Sequence, residues 1–359
     1  MGLQKLKPSQ VGFLRLEVMR LERDGHQFAL SGFAGLEGNV VGPTDLAFGE
    51  FHVQVRPIRI GTRGSPLALA QAHEVRHRLM AAHGLSEDAI ELVIIKTTGD
   101  MILDRPLSEA GGKGLFTKEL EEALLERRVD LAVHSMKDVQ TVLPDGLGIV
   151  AILPREDVRD AFLSLTCASL EDLPKGAIVG TSSLRRHAQI KRLRPDVEVV
   201  GFRGNVQTRL KKLADGVAQA TFLACAGLNR LGLADRITSR IPIETMLPAV
   251  AQGAIGIEAR LDDDATLHLV AVLDDRATSH CVRAERAFLA VLEGSCRTPI
   301  AGLARLEGTI LTLIGEALSP DGHQHVATTM QGLPSEAEAL GAAVAQDILA
   351  RGGRAILGV

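Results

Sequence analysis

The sequence lacks an apolar run near the length of about 18 residues that a membrane helix needs. It also lacks a basic N-terminal segment followed by an apolar run and a small-residue cleavage site, the pattern of an export signal. We therefore expect a soluble cytoplasmic protein without a membrane partner. With 359 residues, 46% of them apolar and 23% charged, the chain is long enough for two or three globular domains.

Cysteines are few, and no two form a C-x-x-C pair or have a histidine at zinc-ligand spacing. We therefore expect neither a structural metal site nor a disulfide framework. The net charge of -4 argues against a nucleic-acid partner, although a local basic cleft remains compatible with it. The four cysteines are Cys167, Cys225, Cys281 and Cys296.

The glycine-rich segment EAGGKGLFTKE, residues 109–119, lacks the G-x-x-x-x-G-K-[ST] pattern of a nucleoside-triphosphate loop. Phosphoryl transfer is therefore not favoured. Lys113 and Lys118 lie in this segment, which is compatible with a mobile lid over a site and equally with a plain surface loop.

Residues 1–57 differ from the rest, since they contain five of the ten Phe and no clear alternation of strands and helices. We interpret them as an N-terminal extension. A misassigned start, a poorly ordered segment and a functional segment all remain open.

From Ile58 onward, short β-rich runs alternate with helical patterns, which predicts parallel sheets covered by helices. The predicted helices include 66–82, with Ser65 as N-cap, and 116–127. The predicted strands are 58–63, 91–99, 131–136, 148–153, 177–182, 197–202, 220–226 and 254–260. The last part has predicted helices at 281–292 and 335–351 around antiparallel strands within 303–318, which indicates a small α+β module.

Three predicted strands end in the same way, with an Arg soon after the strand and a helix within a few residues. Ligands of open α/β sheets bind at the carboxyl ends of strands, and helix N-termini and Arg side chains favour anions there. One such Arg could equally be a solvated surface charge. Together they favour a ligand with several negative charges. The segments are GTRGSP, GTSSLRRHAQ and FRGNVQTRL, with Arg63, Arg185, Arg186, Arg203 and Arg209.

The segment HSMKD, residues 134–138, places Lys137 and Asp138 at the end of another predicted strand. A carboxylate among so many cations could stabilise a developing positive charge. An ordinary turn is the alternative.

Cys296 lies in the turn-forming segment LEGSCRTPIAG, where the adjacent Arg297 would favour a reactive thiolate. From these residues alone, a free structural cysteine is the favoured interpretation.

In its order of motifs, the chain from Ile58 to Val359 resembles the porphobilinogen deaminase, or hydroxymethylbilane synthase, family. The resemblance implies two periplasmic-binding-protein-like α/β domains around a cleft and a small C-terminal α+β domain. The implied ranges are 58–155 with 252–273 for domain 1, 156–250 for domain 2 and 276–359 for domain 3. The motifs are GTRGSPLALAQA, GGKGLFTKELE, DLAVHSMKD, GTSSLRR, FRGNVQTRL, ACAGLNRLGL, LPAVAQGAIGIE and LEGSC.

The resemblance also implies the reaction. A dipyrromethane cofactor, bound to Cys296 through a thioether, primes the joining of four porphobilinogen molecules with loss of ammonia, and water releases linear hydroxymethylbilane. Asp138 resembles the catalytic aspartate of the family. The resemblance further implies a monomeric enzyme that uses no metal ion. The implied cofactor-binding residues are Lys137, Asp138, Thr181, Ser183, Arg203 and Arg209. The implied substrate-binding residues are Arg63, Ser65, Gln71, Lys113, Arg185, Arg186 and Arg230.

The chain departs from the family pattern at Ala251, where Gly is usual, at Gln140, where Pro is common, and at Glu109, where some members have Lys. A solute receptor with two α/β domains is the main alternative from another functional class. Such a receptor would need neither Cys296 nor the HSMKD segment.

Overall fold

The structure, a computed structural model, describes residues 56–101, 114–292 and 298–357. Contacts divide the chain between Pro57 and Ile58 into two units, and the fold below is that of the second, Ile58–Val359. Its strands are β1 (Ile58–Thr62), β2 (Ile90–Ile94), β3 (Leu131–Ser135), β4 (Leu147–Ile152), β5 (Asp160–Ser164), β6 (Ile178–Gly180), β7 (Glu198–Val200), β8 (Ala220–Ala224), β9 (Ser239–Arg240), β10 (Ile255–Arg260), β11 (Ile300–Glu307), β12 (Ile310–Leu318) and β13 (His325–Gly332). Its α-helices are α1 (Pro66–His83), α2 (Thr98–Met101), α3 (Lys118–Leu125), α4 (Leu184–Leu193), α5 (Val206–Ala214), α6 (Cys225–Arg230), α7 (Asp264–Ala271), α8 (Arg276–Val291), α9 (Ala337–Ile348) and α10 (Arg354–Leu357).

The two larger sheets have the same layout, with orders β2-β1-β3-β10-β4 and β7-β6-β8-β5-β9. In each, four strands run parallel and one runs antiparallel, namely β10 in the first sheet and β5 in the second. The prediction of parallel sheets is therefore wrong for β10, which the sequence had indicated as a strand at 254–260, and β5 is a second antiparallel strand. Each is the first sheet strand after the chain crosses from the other sheet, so it enters from the opposite end.

The third sheet, β11-β12-β13, is antiparallel and packs with α8 and α9 around Phe288. Gly315 on β12 allows this packing, because a Cβ there would come within 2.7 Å of the Phe288 ring. The predicted fold class, two α/β domains around a cleft and a small α+β domain, is confirmed. We call the parts built on the three sheets domains 1, 2 and 3. Strands β5, β9 and β13 were missed by the sequence analysis.

The helices that follow the Arg-bearing strand ends each begin after a residue whose side chain caps the helix N-terminus. The Oγ of Ser65 accepts the Ala68 N–H at 3.3 Å, and Pro66 takes the first turn, as predicted. Ser183 caps α4 and Asn205 caps α5 in the same way. These helices therefore start directly at the carboxyl ends of β1, β6 and β7.

Domain 3 contacts both segments that cross between the sheets. Glu285 on α8 is fully buried and accepts two hydrogen bonds from the Arg155 guanidinium, at 2.6 and 3.0 Å. It also accepts the Ala251 N–H at 2.6 Å. Ala251 has a φ of 59°, in the left-handed region that costs an L-residue about 1–2 kcal/mol and that Gly adopts more readily.

No helix in the described ranges is long and apolar enough to cross a membrane.

Candidate functional site

Lys137 and Asp138 lie in a 3-10 helix, Met136–Asp138, directly after β3. Met136 is buried in the core and anchors this turn, while Lys137 and Asp138 are half-buried. Among the residues that the structure describes, the Asp138 carboxylate accepts no hydrogen bond and forms no ion pair. Within the described ranges, no donor therefore competes with a ligand for this carboxylate.

A cluster of cations from domain 2 faces this turn. Burial lowers the pKa of Lys137. The negative charge of Asp138 acts to raise this pKa, and the positive charges of Arg186 and Arg209 lower it further. Burial, with repulsion from Arg186, lowers the pKa of Arg209 to about 10, against the attraction of Asp138. The carboxyl-end loops of the two domains therefore meet in one field of mainly positive charge, which suits a ligand with several carboxylates.

Arg185 and Arg186 are both buried and share one carboxylate, that of Asp160 at the start of β5. Asp160 Oδ2 accepts from Arg185 Nη1 at 2.7 Å, and Oδ1 accepts from Arg186 Nη2 at 2.7 Å. Gln252 Nε2 also donates to Oδ1, at 3.0 Å. Burial would raise the pKa of Asp160, but the two guanidinium groups outweigh it and hold the pKa far below its usual range.

We expect Asp160→Asn to lower the free energy of unfolding by about 3–5 kcal/mol, because it leaves two buried guanidinium groups without their anion. The depressed pKa means that the contribution of Asp160 is complete above the usual Asp value of about 3.9 and is lost as the pH falls below it. Denaturant unfolding at pH 7 and at acidic pH measures both effects.

The matched control is Asp215→Asn, which removes the exposed partner of Lys211 and should cost less than about 1 kcal/mol. Equal losses of stability in the two variants would contradict the role of Asp160.

Arg63 lies in domain 1, at the end of β1. Its guanidinium pairs with both carboxylate oxygens of Asp100 and stacks over the Phe116 ring at 4.2 Å. Burial would raise the pKa of Asp100, but the hydrogen bonds and the positive charge of Arg63 hold the pKa of Asp100 below its usual value. Gln71 is buried in the second turn of α1 and donates to Ser135 Oγ at 2.8 Å, next to the Lys137–Asp138 turn.

The other predicted site residues in domain 2 also have local partners. Thr181 Oγ1 accepts the Ser183 N–H at 3.2 Å, so the two form the turn before α4. Arg203 contributes to the charge that acts on Arg209. Arg230, on α6, connects the domains, since it donates to Glu74 on α1 at 3.3 Å and to the Gly253 carbonyl at 3.0 Å.

The structure thus brings Lys137 and Asp138 near Arg186, Arg203 and Arg209. Cys296 and Lys113 lie outside the described residues. Sequence reasoning missed the carboxylates that orient the arginines, Asp100 and Asp160. The available signal for Asp160 was its place at the end of the charged run REDVRD, directly before the apolar run AFLSL.

Comparisons with known proteins agree along nearly the whole second unit. The family model described as porphobilinogen deaminase, dipyromethane cofactor binding domain, matches residues 58–268, and that of the C-terminal domain matches residues 279–350. The porphobilinogen deaminase of Paracoccus denitrificans is 60% identical over 295 residues, which cover 82% of this chain and 94% of that protein. That of Nitrobacter hamburgensis is 56% identical over 294 residues, with coverages of 82% and 93%. Among solved structures, the methionine-binding protein MetQ has a TM-score of 0.40 at 15% identity and covers 61% of this chain and 89% of its own.

Proposed function

The chain belongs to the porphobilinogen deaminase family, and from this premise we propose that it joins four porphobilinogen molecules into linear hydroxymethylbilane, with loss of one ammonia at each addition. The relatives that carry this name match over more than nine-tenths of their length. We further propose that it acts as a cytoplasmic monomer without nucleic acid or membrane. The net charge of -4 is consistent with this.

The chain contains the dipyrromethane cofactor binding domain of the family. Its described residues fit such a group, because a polycarboxylate needs the cations that Lys137, Arg186 and Arg209 bring to one place. When bound, the dipyrromethane supplies the free pyrrole carbon to which the first substrate is joined. Cys296 is the proposed thioether attachment residue.

We assign the cofactor carboxylates to the half-buried cations that face Asp138. Lys137, Arg203 and Arg209 would bind them, and the Thr181 and Ser183 hydroxyl groups lie at the N-terminus of α4, where anions are stabilised. Burial supports this assignment, since charge pairing is stronger away from water.

The substrate carboxylates are assigned to the end of β1 and the neighbouring Arg groups. Arg63 would exchange its pairing with Asp100 for a substrate carboxylate, and Ser65 and Gln71 line the same helix start. Arg186 lies beside Lys137 and Arg209, so it is placed to serve substrate and cofactor alike. The remaining proposed substrate residues are Lys113, Arg185 and Arg230.

The Asp138 carboxylate, which accepts no hydrogen bond from the residues that the structure describes, carries the proposal. Loss of ammonia from porphobilinogen leaves a cationic azafulvene whose charge extends to the pyrrole N–H. Asp138 would accept that N–H as a hydrogen bond and stabilise the charge, and no residue that the structure describes would have to be displaced from its carboxylate. Such preorganised electrostatic stabilisation is commonly the largest single contribution to catalysis.

Intact-mass measurement and turnover together test the proposal. The purified protein should weigh more than its sequence by two linked pyrroles, and porphobilinogen should yield hydroxymethylbilane with four ammonia molecules per product. An unmodified protein that binds a small anionic solute without consuming porphobilinogen would favour the receptor alternative and overturn the proposal.

A further inference from the structure

We propose that Arg286, on α8 of domain 3, is a positioning residue that holds the Asp138 turn in place from its C-terminal side. Its Nη1 donates to the Val139 carbonyl at 3.1 Å and its Nη2 to the Gln140 carbonyl at 2.6 Å. These two residues follow Asp138 directly. The inference rests on the proposed function, because the role of Asp138 gives the position of this turn its importance.

The turn is held differently on its two sides. On the N-terminal side, β3 is paired along its length with β10, and the Met136 N–H donates to the Ala254 carbonyl at 3.0 Å. On the C-terminal side, residues 139–146 form no helix or strand. The hydrogen bonds from Arg286 to the Val139 and Gln140 carbonyls, with a longer one of 3.5 Å to the Thr141 carbonyl, therefore hold this side as strand pairing holds the other.

Helix α8 is a rigid base for such an anchor. The residue before Arg286 is Glu285, whose buried carboxylate binds Arg155 and the backbone of Ala251 and Ala304. Both segments that cross between the sheets are thereby fixed to α8. Because neighbouring residues on a helix point in different directions, Arg286 reaches domain 1 while Glu285 holds the crossings.

The surroundings of Arg286 also favour a fixed position. Burial lowers the pKa of its guanidinium, and the nearby Glu258 opposes this effect. Glu258 is fully buried and accepts from, or donates to, His134 Nε2 at 2.9 Å, and His134 lies on the strand that leads to Asp138. A half-buried cation that donates to backbone carbonyls has few alternative conformations. Arg286 therefore restricts the conformations of the turn that it binds.

We expect Arg286→Gln to lower kcat for porphobilinogen by about 10–100-fold with KM within about threefold of the parent, since small misplacements of a catalytic group are costly. Arg286→Lys should recover part of kcat, because an ammonium group can donate to the same carbonyls. The control on the same helix is Arg283→Gln, which removes an exposed ion pair with Glu338 and should leave both constants unchanged. All variants are compared as holoenzymes of verified mass.

Combining Arg286→Gln with Asp138→Asn separates positioning from general damage. If Arg286 acts through Asp138, the double variant should have the kcat of Asp138→Asn alone. Multiplied effects in the double variant, or an Arg286→Gln kcat equal to that of the parent, would overturn the proposal.

Hydrogen exchange of residues 138–142 provides a readout that does not depend on turnover. Arg286→Gln should accelerate exchange there and Arg283→Gln should not, and unchanged exchange would refute the anchor. If the parent holoenzyme does not consume porphobilinogen, the proposed function fails, whereas the exchange result still decides whether Arg286 holds the turn.

Discussion

Asp138→Asn should lower kcat for hydroxymethylbilane formation by about 10²–10³-fold, the usual effect of removing one preorganised electrostatic contact. The amide oxygen can still accept a pyrrole N–H, but it carries no negative charge to balance the cation that forms when ammonia leaves. The structure supports little change in stability, because within the described ranges the carboxylate has no hydrogen-bond or ion-pair partner to lose. Steady-state kinetics with thermal unfolding measures both quantities.

Asp145→Asn is the matched control, since Asp145 is an exposed carboxylate in the same connection between β3 and β4. It should behave as the parent protein. A variant at Asp138 that retained full kcat would remove Asp138 from the mechanism and leave the cationic cluster as a binding site only.

Cys296→Ser should abolish turnover by preventing the normal thioether, so the purified variant should have the mass of the unmodified chain. The fold should persist, because the attachment residue lies in a turn-forming segment rather than in a predicted core helix or strand. Intact mass, circular dichroism and product assay distinguish loss of cofactor from loss of structure.

Cys167→Ser is the companion variant, because Cys167 is a half-buried cysteine of domain 2. It should keep both the added mass and the activity. Finding the normal linkage in Cys296→Ser, or its loss in Cys167→Ser, would refute the assignment of Cys296.

Much of the site could be predicted because its signals are local. The predicted cap at Ser65 and the strand ends before Arg63 and Arg186 depend on neighbours a few residues away, and the structure has these features. The ordered motifs added the family, which the comparisons confirmed over residues 58–268 and 279–350. The division of arginines between substrate and cofactor stays a prediction, as do the exact domain boundaries.

The sequence itself determined the alternation of strands and helices, the helix caps and the strand ends that carry Arg and Asp groups. Each of these features depends on short-range periodicity and turn chemistry. The antiparallel direction of β5 and β10 depends on the crossings of the chain between the two sheets, which belong to the tertiary structure. Tertiary structure likewise decided which carboxylate neutralises Arg185 and Arg186, and that Arg286, 147 positions from Val139, supports the Asp138 turn. Those partners meet only through long-range packing, and the burial that makes their pairing strong exists only in the folded chain.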